Sequence, residues 1–305
     1  MKMHTRHCCC MLALFLIATI ASLFCCTGTP HHSRQGLARV DSILITNRDL
    51  DLCMSVEKAY GNDHITREAA LVALVNSTLA LEVAKRVDMA PTQEDINALS
   101  RHADEHSKAP EILARVKEVF GKDRGAYERL YLAPKVVNHK LHSYHSRNLE
   151  IHAAQAALIE QAYRMVLGGR PFKETAHDLG LQYRNTTYGD EGDDKGELPP
   201  ALQQYFPEGG AHKNDPLMVI LETLSEGEIY KNIIEHDRAF QVLRLLEKQG
   251  SHYRIESITI AKRPFQEWFE GEASAIEISI LDPALAQGIV SRYPTLWWVK
   301  QWCTK

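Results

Sequence analysis

The sequence predicts an α+β protein: a mainly helical half followed by a small α/β unit built on an antiparallel sheet. Three observations carry this. From residue 48 to about residue 147, apolar side chains recur three and four apart between residues that cap helices. From Glu228 onward, short runs rich in valine, isoleucine and leucine alternate with turn residues. Between them lies an acidic, glycine-rich stretch, YGDEGDDKGELPP, too polar to pack.

Residues 1–26 read as a signal peptide. Lys2 and Arg6 precede an apolar core that stops at Cys25-Cys26. At about 14 residues counted from Met11, that core is short of the roughly 20 a spanning helix needs. An uncleaved anchor of the same orientation is the alternative. Leu23-Phe24-Cys25-Cys26 resembles a bacterial lipoprotein signal, with Leu23 three residues before Cys26, although Phe24 and Cys25 replace the usual small residues. Lipidation of Cys26 would tie the chain to the membrane. Both readings put the remaining chain outside the cytoplasm, periplasmic or held on the periplasmic side of the envelope.

Five of the seven cysteines fall in that segment, leaving Cys53 and Cys303 in the body. Two isolated cysteines make neither a zinc ribbon nor a disulfide scaffold, so apolar cores must hold the fold. A formal charge of −4 and a pI near 6.4 offer no basic footprint for nucleic acid. No cofactor motif stands out.

The helices follow in order. Ser42–Ile45 is a short extended run, and Thr46 or Asn47 caps a helix to about Tyr60 that ends before Gly61. Thr66 opens a longer one carrying Leu71, Leu74, Val75, Leu79 and Val83. Pro91-Thr92 starts a third, with Asp95 completing a capping box. Pro110 starts a fourth, closed by Gly121. Asp123 starts a fifth, and Pro134 kinks or restarts it into a sixth.

On the third helix, RHADEH spells H-x-x-E-H with His102, Glu105 and His106, the order found in inverted zinc peptidases. Helical spacing turns these residues away from Leu99 and toward solvent. No further acidic ligand follows in a suitable setting. A solvated charged face is the favoured reading, and His139, His142 and His145 on the sixth helix are read the same way.

Beyond Asn148, Ala153–Leu167 and Pro171–Leu179 read as helices stopped by Gly168-Gly169 and Gly180. Helical runs follow at Ala201–Tyr205 and Leu217–Leu221. Glu228–Ile234, Ala239–Leu246 and Tyr253–Ile260 read as strands, and Phe265–Glu270 as a helix. Asp282-Pro283 caps another. Trp297, Trp298 and Trp302 read as core-filling, with an exposed client patch as the alternative.

Several stretches resemble a parvulin-type prolyl isomerase domain. Ala162–Ala176 is similar to the family's helix, glycine and F-x-E-x-A sequence, and Leu224–Ile229 to its L-x-x-G-E-I/V. Phe240–Lys248 is similar to its final Y-H-I-I-R-L-x-E strand. Ile45–Leu50 resembles the opening of SurA and PrsA N-terminal domains. The resemblance implies a SurA-like helical domain at 38–149 and a divergent parvulin-like domain at 150–270. Residues 271–305 would be a C-terminal helical segment packing back on the helical domain. That fold-back, together with export, would also permit a Cys53–Cys303 bridge.

The departures from the family bear on activity. Active parvulins carry two histidines near the bound proline. Here Gln241 stands at one position, and His152, the candidate for the other, runs directly into a helix. Gly196–Leu202 resembles the pocket segment, so Leu198, Leu202, Phe240 and Gln241 are the expected substrate-binding residues, with no confident catalytic residue. Ser257–Lys262 resembles the family's first strand, with Ser257 at its histidine, implying a permuted domain in which 253–260 pairs with 239–246.

The expected function is an exported chaperone or foldase. It would hold unfolded or nascent envelope proteins, with a peptide-binding domain weak or inactive as an isomerase. An active prolyl isomerase and a zinc peptidase are the alternatives.

Overall fold

The computed structural model describes residues 36–107, 109–189 and 216–303. The expected signal with Cys26, the expected pocket residues Leu198 and Leu202, and the expected helical run at 201–205 lie outside the described residues. The chain is α+β and divides into two compact units: residues up to His145 together with Phe265 onward, and Ser146–Pro264.

The first unit opens with an antiparallel hairpin, β1 (Gly36–Val40) and β2 (Ile43–Thr46). Thr46 then caps α1 (Asn47–Ala59) in a closed capping box with Asp49, which also pairs with Arg129 at 2.5 Å. The next helix, α2 (Arg67–Arg86), is the hub. Its apolar residues run almost all round, and even Ser77 and Thr78 are fully buried. Their hydroxyls donate back to Ala73 O at 2.7 Å and Leu74 O at 2.8 Å, so they are buried without an unmet hydrogen bond. Then come α3 (Gln93–His106), α4 (Pro110–Phe120) and α5 (Arg124–Tyr127). Instead of breaking at Pro134, the chain passes through a π-turn, Glu128–Leu132, into α6 (Ala133–Arg147). Proline removes one helical donor, and the Ala133 N–H reaches back to Glu128 O.

In the second unit a short 3₁₀ turn, Leu149–His152, leads into α7 (Ala153–Leu167) and α8 (Phe172–Asp178). Gly169 and Gly180 adopt φ of +90° and +65°, conformations that favour glycine and end these helices. A strand that the sequence reading passed over follows, β3 (Gln182–Tyr188). Next are α9 (Pro216–Thr223), β4 (Ile234–Glu235), β5 (Ala239–Gln249) and β6 (His252–Ala261). The expected strand Glu228–Ile234 is reduced to β4 and one isolated bridge, Ile229 to Arg244. All pairings are antiparallel, and the sheet order is β3-β6-β5-β4. Thus 253–260 does pair with 239–246, across a tight turn with Gly250 at φ +61°.

The chain then rejoins the first unit as α10 (Phe265–Ala273), β7 (Ile278–Ile280), α11 (Pro283–Arg292) and α12 (Trp297–Cys303). Strand β7 completes a sheet ordered β2-β1-β7. Trp298 is fully buried and its indole N–H donates to Asn76 Oδ1 of α2 at 2.9 Å. Trp302 has its side chain outside the described residues.

Two expectations are corrected here. His145 is not solvated: it is buried edge-on to Phe265, 5.5 Å between centroids, and beside Trp268, while His142 stacks on Phe265 at 3.8 Å. Imidazole is flat and largely apolar when neutral, so it packs with aromatic rings that sequence spacing alone does not bring near. Cys53 is a buried free thiol rather than half of a bridge. Burial, chiefly, pushes that thiol up to about 12, which makes it unreactive. Among the described residues, no helix is long and apolar enough to cross a membrane.

Candidate functional site

The four-stranded sheet of the second unit uses its two faces differently, because successive strand residues point to opposite sides. One face carries Phe240, Val242 and Ile258, packed beneath Ile159, Ala162 and Val166 of α7 and Phe172 and Ala176 of α8. The other presents Leu243, Leu245, Tyr253 and Ile255 to Leu217, Met218, Leu221 and Leu224 in and beside α9.

Gln241 lies on this second face, cross-strand from Ile234 and Thr259, where the apolar cover gives way to polar side chains. Ser257 is two residues along β6 from Thr259 and is buried. Arg184 of β3 is cross-strand from Ser257. The turn between β4 and β5 adds His236, whose Nε2 lies 2.9 Å from Gln241 Oε1. With the amide oxygen as acceptor, the imidazole donates from Nε2. The Gln241 amide N–H₂ is then available to a carbonyl oxygen.

Phe240 does not join this site. It is 3% exposed and faces the opposite way, between the α7 cluster and the side chain of Lys262. Its expected substrate contact is corrected to a core role, since a one-residue step along a strand changes face. His152 is also structural: it is fully buried, edge-on to Phe240, and its Nδ1 accepts from the Arg263 N–H at 3.2 Å. It ties the start of this unit to its end. Lys262 works alongside it, donating to Ser146 O at 2.7 Å and Glu235 Oε1 at 2.6 Å.

His236 and Arg184 escaped the sequence reading. The signal for Arg184 was the alternation in Gln182–Tyr188, obscured because only its tyrosines and threonines favour a strand. His236 had no local signal, because its partner is set by strand pairing.

In the first unit, His102, Glu105 and His106 are exposed on α3. The two rings lie 4.8 Å apart between centroids, and Glu105 approaches His106 at 3.8 Å. Among the described residues, no three potential metal ligands converge. A cavity of about 340 Å³ lies nearby in this unit, with Phe120, Tyr127 and Leu132 as apolar lining and Lys117, Arg124 and Glu128 as charged lining. Burial, first, and Asp104 push the Tyr127 phenol up to about 12, so it stays protonated.

No protein-family model matches this chain, and no curated protein is significantly similar to it.

Proposed function

We propose that the protein is an exported chaperone that holds extended segments of unfolded envelope proteins. Ser146–Pro264 is its peptide-binding module, of divergent parvulin type, and the helical unit offers a second apolar contact. Lipidation at Cys26 would keep it at the membrane. The observation that carries this reading is the position of β6 between β3 and β5. The parvulin resemblance demands a first strand antiparallel to the last, and β6 supplies one from the C-terminal side, with Ser257 where the family has histidine.

The same observation weighs against strong isomerase activity. The barrier to rotating an X-Pro bond is about 20 kcal/mol, and lowering it requires groups that favour the twisted imide over the planar one. Gln241 offers a hydrogen bond at one of those positions and Ser257 is buried at the other, so neither supplies an imidazole, and the nearby His236 is engaged with Gln241 Oε1. Binding an extended peptide needs only donors, acceptors and an apolar surface. The mixed lining of the cavity by Phe120, Tyr127 and Leu132 suits an apolar client side chain.

The test combines aggregation of a chemically unfolded client with a proline-limited refolding assay. The expected result is suppression of aggregation with little or no acceleration of refolding. Absence of suppression overturns the chaperone reading. Fast turnover that Gln241→Ala abolishes would replace it with an active isomerase.

A further inference from the structure

Arg184 is a half-buried cation with an unfilled donor. Its Nη2 is shielded from solvent and has no hydrogen-bond partner among the described residues. Three other cations of this sheet lie beside a carboxylate: Arg244 by Glu256, although its Nε also lacks a hydrogen-bond partner among the described residues, Arg254 by Glu247 and Lys262 by Glu235. Strand register places Arg184 opposite Ser257, on the face that holds Gln241. Along β3, β6 and β5, the residues of this face include no carboxylate. Its second cation, Lys248, bonds Glu222 O at 2.9 Å and lies 5.4 Å from the Tyr253 ring.

Withdrawing a guanidinium from water costs free energy that a partner normally offsets. Burial here pulls the Arg184 guanidinium below its ordinary value, opposed only by the Tyr188 phenol. A buried donor without a partner calls for an explanation, and a bound anion is one that its surroundings favour. The planar fork of arginine matches a carboxylate in two parallel hydrogen bonds.

We propose that Arg184 receives a carboxylate of the bound client segment, so that the module favours extended peptides with an acidic group. This rests on the peptide-binding reading above and narrows it to a substrate class. The carboxylate can come from an acidic side chain or from the end of a chain.

Fluorescent proline-containing peptides in matched pairs provide the test, measured by anisotropy with the full-length protein. One pair differs by an internal Glu or Gln, the other by a free or amidated C-terminus. The wild type should bind one acidic member about tenfold more tightly than its neutral partner, a difference that shrinks with added salt. Whichever pair discriminates identifies the source. Arg184→Gln should bind both members at the weaker level, while Arg184→Lys should keep part of the preference. Equal binding within both pairs by the wild type, or a preference that survives Arg184→Gln, overturns the proposal and leaves peptide binding standing. Failure to bind any of the peptides overturns both.

Discussion

The two faces of the four-stranded sheet are drawn from alternate residues of the same strands, yet they treat charge in opposite ways. On the α7 and α8 face, Glu256 is buried, pairs with Arg244, and accepts from the Tyr183 hydroxyl at 3.2 Å. Arg244 in turn lies 5.1 Å from the Phe172 ring, and Lys262 on that face is held by Glu235. Each of these charges has an opposite charge beside it, although Arg244 Nε and Glu256 Oε1 lack a hydrogen-bond partner among the described residues. On the α9 face the hydroxyls, Gln241 and Arg184 collect at one end, and among the described residues Arg184 has no carboxylate to meet. A face whose charges lie in opposite pairs holds a fold together. A face with an unpaired cation has a charge that an anion would match.

The largest effect should come from breaking the matched face. Glu256→Ala strands a partly buried Arg244 and removes the acceptor for Tyr183, and should cost about 2 kcal/mol, reduced from the fully buried case because Arg244 still touches water. Urea denaturation would measure it. A midpoint unchanged from wild type would show that apolar packing alone holds this face.

The helical unit provides the next test of committed polar groups. Asp95 accepts from Lys140 at 2.8 Å and from the Thr92 N–H at 2.9 Å, and these bonds, Lys140 first, pull its carboxyl from 3.8 down to about 2. A carboxyl depressed in the folded state stabilises above its unfolded value and loses that contribution as the pH falls through the folded one. Asp95→Asn should therefore cost about 1 kcal/mol at neutral pH, allowing for solvent screening of a group one-third exposed. The deficit should shrink as the pH drops from about 4 toward 2. Thermal unfolding across that range reads it directly, and a constant deficit would argue against the ion pair.

Arg184→Met should act in the opposite sense to Glu256→Ala. Removing an unmatched, half-buried cation should shift stability by no more than about 0.5 kcal/mol, and toward greater stability if at all. A loss comparable to that of Glu256→Ala would mean the guanidinium is part of the fold, and would blur the contrast between the faces. The smallest effect is expected from His102→Ala with His106→Ala, within about 0.5 kcal/mol, since both rings are exposed. Metal analysis makes this one sharper. Stoichiometric zinc that vanishes in the double variant would restore the peptidase reading.

Much of the fold was legible because its causes are local. Thr46, Thr66, Thr92, Asp123 and Asp282 each cap the helix that the sequence assigns to them, with the side chain accepting from a first-turn N–H. Gly121 and Gly180 end helices for equally local reasons. The hairpin of β5 and β6 follows from two alternating runs with a tight turn between them. These signals fit within a few residues, where capping and backbone conformation act.

What only the tertiary structure decided depends on pairings between distant residues. The face on which Phe240 or Gln241 lies follows from the register of β5 against β6, and one step exchanges core for site. Strand β3, unremarkable alone, exists because β6 pairs with it along its length. His145 is buried because α10 brings Phe265 and Trp268 to it from more than a hundred residues away. By itself the sequence determined the fold class, the starts of most helices and the hairpin of β5 and β6, but not β1, β3 or β7. Which polar groups are satisfied and which remain open was settled by long-range contacts, whose energies depend on partners that local spacing does not reveal.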